Sequence, residues 1–174
     1  MTTESVTTES VTTTPQESDA PPAPPAPPVA SATSAPSALS VLETFFAAEA
    51  VYVEGGGRGK ASFADLAACL SPDVVMYQAP GLPYGGERHG PSGIEDFVAA
   101  LSEAWREFEF LEQRFVVDGD TVVILNRARL TARSTGHVLE TWLMQMMTVR
   151  DGLIVEIRPF YWDTKAVDAA LGVA

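Results

Sequence analysis

The 174-residue chain is poor in the groups that build metal and disulfide sites, with one cysteine and two histidines. A lone Cys69 excludes an internal disulfide framework and a thiolate-rich zinc site. With only His89 and His137 beside it, no metal site is expected. Positive charge is also scarce: 11 basic residues stand against 23 acidic ones, a formal net charge of −12. Nucleic acid and anionic membrane are therefore not expected partners, because both need a basic footprint. No apolar run approaches the ~20 residues of a membrane-spanning helix. The chain does not open with the basic and then apolar regions of a signal peptide, so the expected location is the cytoplasm.

The first 40 residues lack Lys, Arg and Gly, yet hold eight of the 13 prolines. Thr2–Val6 repeats as Thr7–Val11, and a Pro-Ala run follows. Such a segment carries too little apolar area to offset its ordering entropy. Residues 1–38 are expected to be a disordered tail and 39–174 one domain of about 135 residues, the size of a single core.

Periodicity predicts three helices before the strands begin. Ser40-Val-Leu-Glu43 has capping-box spacing, and Leu42, Phe45, Phe46, Glu49 and Val53 follow at helical intervals. Glu49 thus falls on or beside the apolar stripe. Ser62 and Asp65 open a shorter helix, which Ser71-Pro72-Asp73 ends; Val74–Gln78 then reads as a strand. Ser92 and Glu95 open the third helix, with Ile94, Phe97, Val98, Leu101 and Trp105 on one face. The period then changes to two, over Glu109–Val117, Thr121–Arg133, Val138–Arg150 and Leu153–Phe160. Short turns between them imply an antiparallel meander packed on helices, an α+β fold. Both faces of the third of these strands are apolar. Trp142, Met144 and Met146 on its outer side predict a homodimer through the sheet.

Common cofactor motifs fail. Gly55–Lys60 is spaced like part of a phosphate loop, but Ala61 follows the lysine, Glu54 stands at the first glycine position and no strand precedes it. No dinucleotide fingerprint or nucleophile elbow is present, so no cofactor is expected.

Leu70-Ser-Pro-Asp-Val-Val75, Arg88-His-Gly-Pro-Ser-Gly-Ile94, Thr148-Val-Arg-Asp-Gly-Leu-Ile-Val-Glu156 and Phe160-Tyr-Trp-Asp163 occur in that order. Their order and spacing resemble the nuclear transport factor 2-like superfamily, in its SnoaL-like branch, over about residues 40–172. The resemblance implies a cone-shaped α+β barrel, three helices on a curved antiparallel sheet around a deep pocket. It also implies a cofactor-independent cyclase, isomerase or hydrolase acting on an apolar polyketide-like or other specialised metabolite. The alternative is a noncatalytic small-molecule-binding or dimerisation module of the same fold.

The family's acid and base positions carry over poorly. Gln78 stands where isomerases of the superfamily place a general base, and Gln145 where they place a protonated acid. Pro159 occupies the acidic position of SnoaL-like cyclases. A glutamine cannot abstract a proton at neutral pH, although its amide can donate to a developing oxyanion. In this reading Gln78, Gln145 and Asn126 orient or polarise a ligand oxygen, and Asp163 or Glu49 moves a proton. Trp105, Leu143, Met147 and Tyr161 line the pocket, and Tyr84 either gates its mouth or holds a turn. Asp163 precedes a final helix, Lys165–Leu171, and has an N-cap reading as well as a catalytic one.

Overall fold

The computed structural model describes residues 36–173. The expected tail lies outside the described residues except for its last three. Helix α1 (Ala38–Glu54) starts earlier than its expected capping box. Ser37, in extended backbone, accepts from the Ser40 amide at 3.2 Å, and Ser40 lies inside the first turn with its hydroxyl donating back to the Ser37 carbonyl. Val41, Leu42, Phe45 and Tyr52 make the buried stripe of α1. The Tyr52 hydroxyl donates to Glu95 at 3.0 Å and ties this helix to α3 (Gly90–Ala104).

Helix α2 (Ala64–Ala67) is a single turn, and the Ser62–Asp65 box expected there does not form: Phe63 is its N-cap residue. The chain enters β1 (Leu70–Gln78) soon afterwards. Pro72 is tolerated because it falls in the irregular stretch of the β1 ladder, between Leu70 and Val75. A loop leads to β2 (Gly86–His89). Gly85 closes that loop, and a Cβ there would meet the Ala79 carbonyl oxygen at 2.2 Å, so only glycine fits.

Helix α3 has a proline in its first turn and ends one residue earlier than its apolar stripe predicts. Trp105 sits at the C-cap in extended backbone and begins β3 (Trp105–Asp118). Strands β4 (Thr121–Ala132), β5 (Val138–Arg150) and β6 (Leu153–Tyr161) follow, and α4 (Thr164–Leu171) closes the described chain. Asp151 and Gly152 both have positive φ, the backbone that a two-residue hairpin requires.

The six strands form one sheet in the order β2-β1-β6-β5-β4-β3. Every pair is antiparallel except β1 with β6, which run parallel, so the sheet is mixed where a purely antiparallel one was expected. The first and last strands meet because the chain returns after the meander; local turn signals carry no information about that pairing. The architecture is otherwise the expected α+β cone, with a curved sheet, α1 and α3 on its inner face, and α4 as a fourth helix. Val122, Ile124, Ala128 and Leu130 of β4 point inward and are buried. On the outer face Arg127 and Arg129 bridge Glu112, Glu140 and Glu109 across three strands at 2.8–3.1 Å. Each exposed pair adds little stability, but together they set opposite charges across the sheet.

Candidate functional site

A cavity of about 350 Å³ lies between the helices and the sheet. Helix α1 contributes Phe46, Glu49, Ala50 and Val53, and α3 adds Phe97, Val98, Leu101 and Ser102. From the sheet come Gln78, Trp105, Phe108, Phe110, Gln113, Leu143, Gln145, Pro159 and Tyr161. Most of the wall is apolar, with a few neutral polar groups, the usual composition of a small-molecule site. The one cation on the wall, Arg106, has a side chain 57% exposed and paired with Glu107 at 3.7 Å, so it belongs to the rim.

Strand β3 reaches the wall by means of bulges. Its ladder to β4 shifts between Trp105 and Glu107 and again between Phe110 and Glu112. Each extra residue reverses the alternation, so Trp105, Phe108, Phe110 and Gln113 all face inward although their spacing changes parity.

Glu49 is the carboxylate of this wall. Four residues after Phe45 and three before Tyr52, it follows the buried stripe of α1. Burial alone raises its pKa from 4.5 to about 7. Among the described residues no hydrogen bond or nearby charge contributes to that shift. By its accessible surface the residue is half-buried, and part of its side chain opens on the cavity. A carboxyl of this kind is neutral for part of the time near pH 7 and can give or take a proton there.

The sheet side of the cavity is backed by a hydrogen-bonded aromatic chain. The Trp105 indole N–H donates to the Tyr84 hydroxyl at 3.3 Å, and that hydroxyl is hydrogen-bonded to the Tyr161 hydroxyl at 3.3 Å. An indole can only donate. The Tyr84 oxygen therefore accepts from Trp105, and the Tyr84 and Tyr161 hydroxyls share one hydrogen bond. Burial first, and then the Tyr84 contact, hold the Tyr161 phenol well above its usual pKa; the Gln78 amide pulls the other way without cancelling this. Tyr161 is thus a neutral donor at any ordinary pH.

Two glutamine amides complete the polar set. The Gln78 oxygen accepts from the Ala79 amide at 3.2 Å, whereas its Nε2 is buried without a partner. The Gln145 Oε1 is likewise buried and unpartnered. Buried polar atoms are normally paired, and these two, both enclosed by protein, are exceptions on residues that line the cavity.

Of the residues expected from sequence, Glu49, Gln145, Gln78, Trp105, Leu143 and Tyr161 share this wall. Met147 lines a smaller pocket behind it. Three stand elsewhere. Asp163 is exposed and caps α4, accepting from the Ala166 amide at 3.0 Å, and its side chain is occupied away from the cavity. Asn126 is buried behind Gln113, whose Nε2 donates to it at 2.9 Å. Tyr84 is 3% exposed, so it neither gates a mouth nor reaches the cavity; it supports Trp105 and Tyr161 from behind. Phe108, Phe110 and Gln113 were not expected, although the alternation Glu107-Phe-Glu-Phe110 announces a two-faced strand.

The fold and the neutral, apolar cavity define a small-molecule-binding α+β cone. The SnoaL-like domain family matches residues 52–157, and the chain belongs to it. Solved structures agree in fold. A nuclear transport factor 2-like protein from Burkholderia xenovorans LB400 is 22% identical, with 79% of this chain and 98% of that chain covered and a TM-score of 0.68. A putative SnoaL-like polyketide cyclase from Jannaschia sp. CCS1 is 19% identical, covering 79% and 92% with a TM-score of 0.63. TerC, co-crystallised with polyporic acid, is 20% identical, covering 76% and 98% with a TM-score of 0.62. Among curated proteins none matches the chain.

Proposed function

We propose that this protein is a cofactor-independent enzyme acting on an apolar, oxygen-bearing small molecule of the polyketide type, with Glu49 as its acid–base group. The observation that carries this reading is an unpaired Glu49 carboxyl, with a pKa of about 7, on the same wall as Tyr161, Gln78 and Gln145. Tyr161 and the amides hold and polarise a carbonyl or ether oxygen, and Glu49 moves a proton at a neighbouring carbon or oxygen. The putative SnoaL-like polyketide cyclase and the co-crystallisation of TerC with polyporic acid support a ligand of this kind. Asp163 has no part in it, because its carboxylate is spent on the helix cap.

Size narrows the ligand. An apolar cavity of about 150 Å³ takes benzene, so 350 Å³ suits roughly 14 non-hydrogen atoms by the same proportion. Organic extraction of the purified full chain, read by mass spectrometry, is expected to release a neutral compound of about that size. Conversion of that compound should fall at least about 100-fold in Glu49→Gln while its binding stays within a few-fold. Full conversion by the variant would contradict the role given to Glu49.

A noncatalytic binding module is the second reading, favoured by Gln78, Gln145 and Pro159 at the family's acidic positions. Binding without conversion by the wild type would select it. In either reading we propose a homodimer through the outer sheet face, where Trp142, Met144 and Phe160 are 37%, 38% and 48% exposed and adjacent across β5 and β6. Sedimentation at micromolar concentration should find a dimer, and a monomer for Met144→Lys. A monomeric wild type would rule the interface out.

A further inference from the structure

One transverse row of the sheet carries polar side chains at both of its ends. Gln113 of β3 stands opposite Asn126 of β4, Asn126 opposite Leu143 of β5, and Leu143 opposite Tyr161 of β6. Gln113, Leu143 and Tyr161 line the cavity, and Asn126 between them is 0% exposed. Neighbouring strands lie about 4.8 Å apart, so the backbones of Gln113 and Tyr161 are separated by roughly 14 Å, and their inward side chains reach towards one another over Leu143. Asn126 interrupts an otherwise apolar face made by Val122, Ile124, Ala128 and Leu130. A buried amide is costly unless it is paired. The Asn126 Nδ2 donates to the Ile124 carbonyl at 3.4 Å, and its Oδ1 accepts from the Gln113 Nε2 at 2.9 Å. A carbonyl oxygen cannot donate, so Asn126 fixes which end of the Gln113 amide faces β4. The Gln113 Oε1 is the end left over. Gln113 is exposed as well as cavity-lining, so its amide stands at the open end of the cavity.

We infer that Gln113 reads a hydroxyl group on the ligand. The ligand lies along this row with one oxygen at Tyr161, an apolar body over Leu143, and a second oxygen that donates its hydrogen to the Gln113 Oε1. The inference rests on the reading of the cavity as the site of an apolar, oxygen-bearing ligand, and adds where a second oxygen belongs and that it carries a hydrogen. An amide oxygen accepts from a hydroxyl. An ether, a ketone or a carboxylate at that place brings it only lone pairs. Gln113 thus selects, among ligands of one shape, those with a hydroxyl at the outer end, and Asn126 positions it for that task. A biphenyl with a para hydroxyl on each ring has the shape required and the roughly 14 non-hydrogen atoms that suit a cavity of 350 Å³.

Calorimetric titration of the full-length protein with para,para′-dihydroxybiphenyl and with para-hydroxybiphenyl tests the role of Gln113. The wild type is expected to bind the diol about five- to tenfold tighter, the worth of one added hydrogen bond. In Gln113→Leu the gap should close to about twofold, the factor left by the diol's two equivalent orientations, while the singly hydroxylated probe binds as before. Each gap is read within one protein, so a general loosening of the fold weakens both probes alike and leaves the gap in place. Should Gln113→Leu fail to fold, Gln113→Leu/Asn126→Val, which leaves no unpartnered amide behind, is expected to give the same closed gap. Capping one hydroxyl of the diol as a methoxy group should also remove its advantage in the wild type. Equal binding of diol and single hydroxyl by the wild type, a gap that survives in the variant, or a methoxy probe as tight as the diol overturns the inference and leaves the ligand reading standing. No saturable binding of any of these probes by the wild type overturns both.

Discussion

Glu49→Gln is expected to be more stable than the wild type at about pH 8 and as stable as it in mild acid, with the gap opening between pH 4.5 and about 7. The sign follows from proton binding. The folded protein holds the Glu49 proton more tightly than the unfolded chain, so the folded state carries the extra proton within that window. Wild-type stability contributed by this group is therefore fully present below pH 4.5 and is lost as pH rises through about 7. Each pKa unit is worth about 1.4 kcal/mol, so the full shift corresponds to at most about 3 kcal/mol, less to the extent that cavity water screens the charge. Glutamine, of nearly the same shape, has no charge to bury and should remove this pH dependence. Urea unfolding of both proteins across the window, compared as a difference, checks it. Equal stability at every pH would mean that the Glu49 carboxylate is solvated.

Trp105→Ala is expected to cost about 3–5 kcal/mol, the range for truncating a large buried aromatic. Trp105 is 3% exposed, starts β3 at the helix-to-sheet junction and borders the cavity. Its removal takes away packing and also the indole N–H that donates to the buried Tyr84 hydroxyl. Trp105→Phe separates the two effects: it keeps most of the contact area and should lose only about 1 kcal/mol, for the missing hydrogen bond. Denaturant unfolding measures both. If the two variants are equally destabilised, the N–H contact rather than packing is what Trp105 supplies.

Strand β5 was legible to the residue because Trp142 through Val149 alternate without interruption, and its inner set of Leu143, Gln145 and Met147 follows from that alternation. Glu49 was legible for a similar reason, as a charged residue on an unbroken helical stripe. Trp105 was misplaced on α3 because eleven residues after Ile94 is still a helical interval; a periodicity cannot see the backbone turn extended at a C-cap. Asn126 was given a cavity position from its inward register. The register is right, but Gln113 covers it from β3, and only the bulge near Phe110 turns Gln113 inward. Asp163 had two readings in sequence, and the hydrogen bond to Ala166 decides between them. The parallel pairing of β1 with β6 joins segments about eighty residues apart, beyond what turn chemistry encodes.

The chain has few groups for metals or disulfides and little positive charge. What distinguishes its interior is one carboxyl kept without a counterion in a neutral cavity. Carboxyl carbon NMR of the full-length protein, with the Glu49 resonance identified by its absence in Glu49→Gln, measures that group directly. A titration midpoint of about 7 is predicted; a midpoint near the ordinary 4.5 would contradict the account.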